Sequence, residues 1–214
     1  MNVLITGFDP FGGEAVNPAW EAVKQLDGLM IAGAQVHAME VPTIRFKAIE
    51  KLQDAIRNFD PDLVFSIGQA GGSHVLRAER VAINCDDFRI GDNEGNQPID
   101  EPIMPGGPAA YFSTLPIKSI VAAWQKAGVP GKVSNTAGTF VCNHIFYGLM
   151  DTLAKAPKPR RGGFIHVPYL PQQAARLGDM PSMALETIVE GLKIAVETAV
   201  KEQEDAKVSG GSIW

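Results

Sequence analysis

Short runs of β-branched and other apolar residues recur along the chain, and each is bounded by glycine, proline or polar residues. Runs of this length and composition predict strands. The six runs span residues 2–8, 35–42, 63–70, 80–85, 132–137 and 163–168. They predict a protein with a substantial β-sheet.

Between these runs, apolar residues recur at steps of three and four, which is the spacing of one face of a helix. The steps begin near Ile49, Ile117 and Ile145. The longest stripe consists of Leu185, Ile188, Val189, Leu192, Ala195, Val196 and Ala199. A helix with such a stripe buries it against another layer, so we expect the last helix to cover the sheet.

Strands that alternate with helices are typical of the α/β class. The pattern predicts a three-layer α/β/α sandwich around a mostly parallel, twisted central sheet. We expect a single domain over residues 1–206 and a flexible, glycine-rich tail over residues 207–214. The segment 86–110 has no periodicity, and connections of that length are usually functional, which predicts a flap beside the site.

Composition excludes several classes of function. The 214 residues carry 19 Lys and Arg against 24 Asp and Glu, with no basic block, so we expect no nucleic-acid partner. No apolar run approaches the roughly 18 residues of a membrane span, and the first residues lack a secretory signal. We therefore expect a cytoplasmic protein with no membrane association.

Cys142 stands between the run SNTAGTFV and a helical stripe, so it is expected at a helix N-terminus. Unpaired N–H groups and the helix dipole favour a thiolate there, although a buried structural cysteine is the alternative interpretation. Cys85 precedes Asp86 and Asp87, whose charges would raise its pKa, which favours a structural role.

His166 lies near the end of the predicted strand 163–168, where α/β sheets carry their functional groups. His144 is too close to Cys142 along one helix to face it. Glu79, flanked by arginines, would by itself be interpreted as part of a solvated ion-pair cluster. Together, Cys142, His166 and Glu79 could supply a nucleophile, a base and an orienting carboxylate.

Two glycine-rich segments, TGFDPFGG at 6–13 and GQAGG at 68–72, match neither phosphate-binding pattern, and two phenylalanines in the first suit a flat neutral ligand. Two alternatives remain open at this point. One is a non-catalytic protein that binds a small or nucleotide ligand. The other is a metal-dependent amidase using His144 and His166, for which the sequence holds no HExxH motif.

Seven motifs stand in order along the chain: TGFDPFGG, IGQAGG, ERVAIN, DNEGNQPIDEPI, GPAAYFSTLPI, SNTAGTFVCNH and GFIHVPYLP. The ordered set closely resembles the pyroglutamyl-peptidase I, or pyrrolidone-carboxylate peptidase, family. This resemblance implies a cysteine peptidase of α/β/α architecture that removes an N-terminal pyroglutamyl residue without metal or cofactor. It also implies a cytosolic homotetramer.

The resemblance also implies residue roles. It makes Cys142 the nucleophile, His166 the base and Glu79 the orienting carboxylate. Its substrate-binding residues are Phe8 and Phe11 around the lactam ring, Thr43, Ile90, Phe140 and Val141 as further walls, Asn17 and Gln69 through backbone groups, and Arg89 near the oxyanion. Cys85 departs from the aliphatic residue that many relatives carry.

Overall fold

The computed structural model describes residues 1–211. Nine strands and six α-helices follow one another in this part of the chain. In order they are β1 (Asn2–Phe8), α1 (Pro18–Val23), β2 (Met30–Ile31), β3 (Ala34–Val41), α2 (Lys47–Phe59), β4 (Leu63–Gln69), β5 (Leu76–Glu79), β6 (Val81–Ile83), β7 (Ala110–Phe112), α3 (Ile117–Lys126), β8 (Gly131–Ser134), α4 (Val141–Lys155), β9 (Arg161–Val167), α5 (Pro171–Leu177) and α6 (Leu185–Lys201).

Seven strands form one sheet in the order β2-β3-β1-β4-β9-β5-β8, and β6 pairs with β7 in a separate ribbon. The four central strands β3, β1, β4 and β9 are mutually parallel. The short strand β5 runs antiparallel to β9 and carries β8 parallel to itself, and β2 is antiparallel to β3. The predicted α/β fold with a mostly parallel sheet is therefore confirmed.

Alternate residues of the central strands point to opposite faces of the sheet and enter separate cores. Val3 and Phe65 pack in the core that α1, α3 and α6 cover. Leu4, Val64 and Phe164 pack in the core that α2 and α4 cover. The two cores make the three layers, and α4 lies directly over the face of β9 that carries Phe164 and His166.

The structure corrects the predicted strand at 80–85. Only Val81–Ile83 is a strand, and it belongs to the ribbon rather than to the main sheet. The strand that enters the sheet is the preceding segment Leu76–Glu79. Its sequence, LRAE, has two charged residues among four, so it carries no apolar signal. Its pairing with β8 and β9 decides its conformation instead.

The segment 86–110 is tied to the rest of the protein at several points. Asp86 and Glu101 pair through their backbones, and Arg45 donates to the Asp86 carboxylate at 2.8 Å. The Asn93 N–H donates to the Thr43 carbonyl at 3.1 Å. These contacts hold the segment against the residues before α2.

Near the C-terminus, the Asp205 carboxylate accepts hydrogen bonds from the first backbone N–H groups of α3. The Gly210 carbonyl accepts one from Arg80 at 2.8 Å. The single domain over 1–206 and the flexible tail over 207–214 stay predictions, and residues 212–214 lie outside the described part of the chain. Within residues 1–211, no helix is both long and apolar enough to cross a membrane.

Candidate active site

A histidine and a glutamate meet on one face of the sheet. Glu79, the last residue of β5, stands opposite Phe164 of β9, so it is diagonal to His166. Diagonal neighbours across an antiparallel pair share a face and lie within reach of each other. Here the distance from His166 Nδ1 to Glu79 Oε1 is 2.8 Å.

Both groups are shielded from solvent, since Glu79 is fully buried and His166 is 6% exposed. Among the described residues, the Glu79 side chain hydrogen-bonds to His166 alone, because its second oxygen, Oε2, has no partner. The carboxylate is therefore directed at the imidazole. Because Nδ1 of His166 is engaged in this way, Nε2 is the nitrogen left for chemistry.

Cys142 is the second residue of α4, as the sequence predicted for a helix N-terminus. Phe140, the N-cap, gives no side-chain cap, and the N–H groups of Val141, Cys142 and Asn143 donate to no described residue. Unpaired N–H groups at a helix start attract negative charge. They can stabilise a thiolate or an oxyanion at this position.

Gly68 of β4 forms the surface beneath the thiol. A Cβ atom at this position would lie 2.8 Å from Cys142 Sγ and 2.7 Å from the Phe164 ring. The backbone of β4 can approach the sulfur this closely only because Gly68 has no side chain. Gly68 also pairs with His166 across the sheet, which places thiol and imidazole side by side.

The proximity of Cys142 changes the acidity of His166. Burial by itself would lower the pKa of this imidazole. The charge of Cys142 and a hydrogen bond to it, followed by the hydrogen bond and charge of Glu79, act more strongly and raise the pKa of His166 to about 10. At neutral pH the imidazole is therefore protonated beside the sulfur, the arrangement of an activated cysteine.

His144 does not take part in this group. Its Nδ1 lies 2.9 Å from the Asp86 carboxylate, and its Nε2 accepts the Phe46 N–H at 2.8 Å. Both ring nitrogens are thus occupied in a buried network, which leaves none for a metal. In residues 1–211, no cluster of three or more His, Cys, Asp or Glu side chains is arranged to hold a metal ion.

Cys85, the second cysteine, lies outside this group. Its pKa is raised, mainly by burial and then by the charges of Asp100, Asp87 and Asp86. The predicted direction is confirmed, although burial contributes more than the neighbouring carboxylates. Cys85 is therefore mostly a neutral thiol at physiological pH.

A cleft of about 600 Å³ opens beside Phe140 and the start of α4. Five residues of the predicted pocket border it: Phe11, Gln69, Arg89, Ile90 and Phe140. The other four predicted residues are at most 2% exposed and do not border it: Phe8, Asn17, Thr43 and Val141. Further lining residues that the sequence did not reveal include Glu14, Tyr169, Leu177 and Met180.

The cleft is largely aromatic at one end. The rings of Phe11 and Phe140 lie 5.9 Å apart, and Phe88 packs edge-on against Phe140 at 4.7 Å. A second depression, of about 620 Å³, lies between β8 and residues 208–211, and none of the predicted site residues borders it. Glu79, Cys142 and His166 do not border the first cleft, and the five predicted pocket residues that do border it identify it as the candidate binding site.

A cysteine at a helix start beside a buried His–Glu pair, on an α/β sheet, defines the class of thiol-dependent hydrolases. The family model described as pyroglutamyl peptidase matches residues 1–202. The chain belongs to this family.

Named relatives agree with the family match. The chain is 56% identical over 211 residues to a pyrrolidone-carboxylate peptidase of Brevibacillus brevis, which covers 99% of this chain and 98% of the relative. It is similar to the crystal structure of pyroglutamyl peptidase I from Bacillus amyloliquefaciens, with a TM-score of 0.94 and 51% identity over 96% of this chain and 99% of that one. It is also similar to the structure of a variant pyrrolidone carboxyl peptidase from Pyrococcus furiosus, with a TM-score of 0.91 and 43% identity. That match covers 94% of this chain and 99% of the other.

Proposed function

We propose that this protein is a cysteine peptidase that hydrolyses the amide bond after an N-terminal pyroglutamyl residue, through a thioester acyl-enzyme. The observation that carries the proposal is the placement of His166 between Glu79 and the thiol of Cys142. Family membership supports the substrate, and the aromatic end of the cleft suits a small flat lactam.

In the first step, the Cys142 thiolate attacks the carbonyl carbon that joins the pyroglutamyl group to the next residue. The N–H groups at the start of α4 stabilise the negative oxygen that forms. The C–N bond then breaks, and the imidazolium of His166 gives its proton to the leaving amine. Glu79 keeps the imidazole oriented throughout.

In the second step, water hydrolyses the thioester. His166, now neutral, takes a proton from the water, whose oxygen bonds to the acyl carbon. The C–S bond breaks, pyroglutamate leaves, and the thiolate–imidazolium pair is restored. No metal or cofactor takes part in this proposal.

A pyroglutamyl group has no free amine, so its pocket needs no carboxylate to hold an N-terminus. We assign the ring to the apolar side chains that border the cleft, Phe11, Ile90 and Phe140, a lactam hydrogen bond to a backbone group of Gln69, and a position near the oxyanion to Arg89. The contacts of Phe8, Asn17, Thr43 and Val141 rest on the resemblance alone, because these four residues are buried and do not border the cleft. A site built to bond the lactam leaves polar groups unpaired when proline, which lacks the ring carbonyl, enters instead.

This assignment predicts strong selection for the ring carbonyl. The protein should release the fluorophore from a pyroglutamyl coumarylamide with a kcat/KM about 10⁴-fold higher than from the prolyl coumarylamide. Steady-state fluorescence with both substrates measures the ratio. Comparable rates on the two substrates would rule out the proposed pocket, and no turnover of either would rule out the proposed reaction.

The pH dependence should be bell-shaped, with two limbs that belong to the coupled Cys142–His166 pair. Because the pKa of His166 is raised from 6.5 to about 10, its proton is present through neutral pH and is lost as the pH rises through about 10. Activity should therefore fall on that alkaline side, where the leaving amine is no longer protonated. A kcat/KM that stays constant from about pH 5 to 10 would contradict the pairing.

The proposal extends to assembly and location. The homotetramer rests on the resemblance to the family. The cytoplasmic location and the expectation of no nucleic-acid partner and no membrane association rest also on the charge distribution and the apolar pattern of the sequence. Sedimentation velocity over a range of protein concentrations measures the assembly. A single species with the mass of one chain, 22.9 kDa, would exclude the tetramer.

A further inference from the structure

A buried histidine of α4 takes no part in the proposed chemistry, although it follows the nucleophile closely. His144 is fully buried, and both of its ring nitrogens bind groups outside α4. The Phe46 N–H can only donate, so Nε2 accepts and carries no proton. Nδ1 therefore carries the proton and donates to the Asp86 carboxylate at 2.9 Å. The imidazole thus offers one donor and one acceptor, and each binds a different segment of the chain.

The contact with Asp86 joins α4 to the segment 86–110. Asp86 is the first residue of this segment, and it is fully buried. Arg89 and Ile90, which follow it closely, border the candidate cleft. The bond from His144 to Asp86 therefore fixes the start of one cleft wall to the helix that begins beside the thiol.

The contact with Phe46 joins α4 to the residues before α2, which bind the same segment. Phe46 has a φ of 60°, in the left-handed region that favours glycine. Such a conformation persists only where the surroundings fix it, and the acceptor on His144 is part of those surroundings. The preceding residue, Arg45, donates from its guanidinium to Asp86 at 2.8 Å and from its backbone to Asp92 at 2.7 Å. His144 is therefore tied to the segment both directly and through this loop.

We propose that His144 is a positioning residue for substrate binding. Its bond to Asp86 holds one wall of the cleft in place relative to the thiol of Cys142. The inference deepens the proposed function and rests on it, and it assigns no contact between His144 and the substrate. The wall that carries Arg89 and Ile90 binds the substrate before and during the reaction alike. Loss of the Asp86 contact should therefore raise KM more than it lowers kcat.

Two substitutions remove the two contacts one at a time. A glutamine amide ends near the position of Nε2, so His144→Gln keeps an acceptor for the Phe46 N–H and loses the donor to Asp86. An asparagine amide ends near the position of Nδ1, so His144→Asn keeps that donor and loses the acceptor. Asparagine is the smaller residue and leaves the larger cavity, so packing alone predicts that it does more damage. The positioning role predicts the opposite order.

We expect His144→Gln to raise KM for the pyroglutamyl coumarylamide by about tenfold and to lower kcat by less than about threefold. His144→Asn should raise KM by less than about threefold, because the loop before α2 stays bound to Asp9 through two hydrogen bonds from Thr43. Met150→Ala removes a buried side chain further along the same helix and is the control for lost stability. Its KM should equal that of the wild type, and thermal unfolding shows that each variant is folded.

Hydrogen exchange measured by mass spectrometry locates each loss without turnover. In His144→Gln, peptides over residues 86–90 should exchange about tenfold faster than in the wild type, because the N–H groups of Asp87 and Phe88 are hydrogen-bonded there. In His144→Asn, the faster exchange should instead fall on peptides that contain Phe46, whose acceptor is lost. A general loss of stability would speed exchange at both places in both variants.

A KM increase in His144→Asn as large as that in His144→Gln would overturn the positioning role, and so would the same exchange pattern in the two variants. If either variant does not fold, Arg45→Lys tests the same wall. It keeps a positive charge but lacks the guanidinium that bonds both Asp86 and Glu101. It should raise KM by about threefold and speed exchange over residues 86–90. Wild-type values for both would overturn the proposal.

Failure of the proposed function is recognised separately. The wild-type protein would then not turn over the coumarylamide at all, whereas the exchange experiment would still report whether His144 holds the segment.

Discussion

Replacing Cys142 with alanine should lower kcat/KM for a pyroglutamyl coumarylamide by at least about 10⁴-fold, because the substitution removes the atom that forms the acyl-enzyme. The thiol lies at the second position of α4, and alanine is a good helix former at such a position, so the variant should fold. Steady-state kinetics on the purified variant gives the ratio, and circular dichroism confirms its fold.

Cys85 provides the matched control for this experiment. It is the other free cysteine of the chain, and burial raises its pKa. Cys85→Ser should keep kcat/KM within about twofold of the wild type, because Cys85 is partly exposed and substitutions away from an active site have small effects. Iodoacetamide should inactivate this variant and the wild type alike. Turnover that survives in Cys142→Ala would rule out the nucleophile.

Replacing His166 with glutamine should lower kcat/KM by at least about 10³-fold, because the general base and the proton for the leaving amine are both lost. Glutamine is chosen because its amide can still donate to Glu79. Removing the partner altogether would leave a buried, uncompensated carboxylate, which is strongly destabilising. The exposed His74, changed in the same way, should leave kcat/KM at the wild-type value.

The same variant also tests the ion pair directly. In the wild type, the imidazole beside the sulfur should speed the alkylation of Cys142 by iodoacetamide at neutral pH. In His166→Gln, the alkylation rate at neutral pH should be lower. Identical rates for the two proteins would show that His166 does not act on the sulfur, whatever the effect on turnover.

The strand pattern of the sequence predicts a functional role for His166 but not for Glu79. His166 lies in the seven-residue, mostly buried strand β9, and a parallel strand carries its functional groups at its carboxyl end. Glu79 lies in β5, which runs the other way beside β9. The carboxyl-end rule for parallel strands therefore does not apply to it. The motif resemblance indicated Glu79, whereas the hydrophobic pattern did not.

The cleft shows a similar division. Phe11 and Phe140 border it, whereas Phe8 is 2% exposed and packs in the core beneath α4. A phenylalanine after a strand can enter either a core or a cleft, since both are apolar. Its neighbours in space determine which, and those neighbours come from distant parts of the chain.

By itself, the sequence determined the elements whose signals are local: the long central strands, the amphipathic helices α2, α3, α4 and α6, the cysteine at a helix start, and the ordered motifs that resemble a known peptidase family. Only the tertiary structure decided the direction of β5, the hydrogen bond from His166 to Glu79, and the contact of Gln173 with Gln69. Periodicity reports which face of one element is buried. It does not report which distant side chains that face will contact. His166 and Glu79 are 87 residues apart and Gln173 and Gln69 are 104 apart, and each pair meets only in the folded protein.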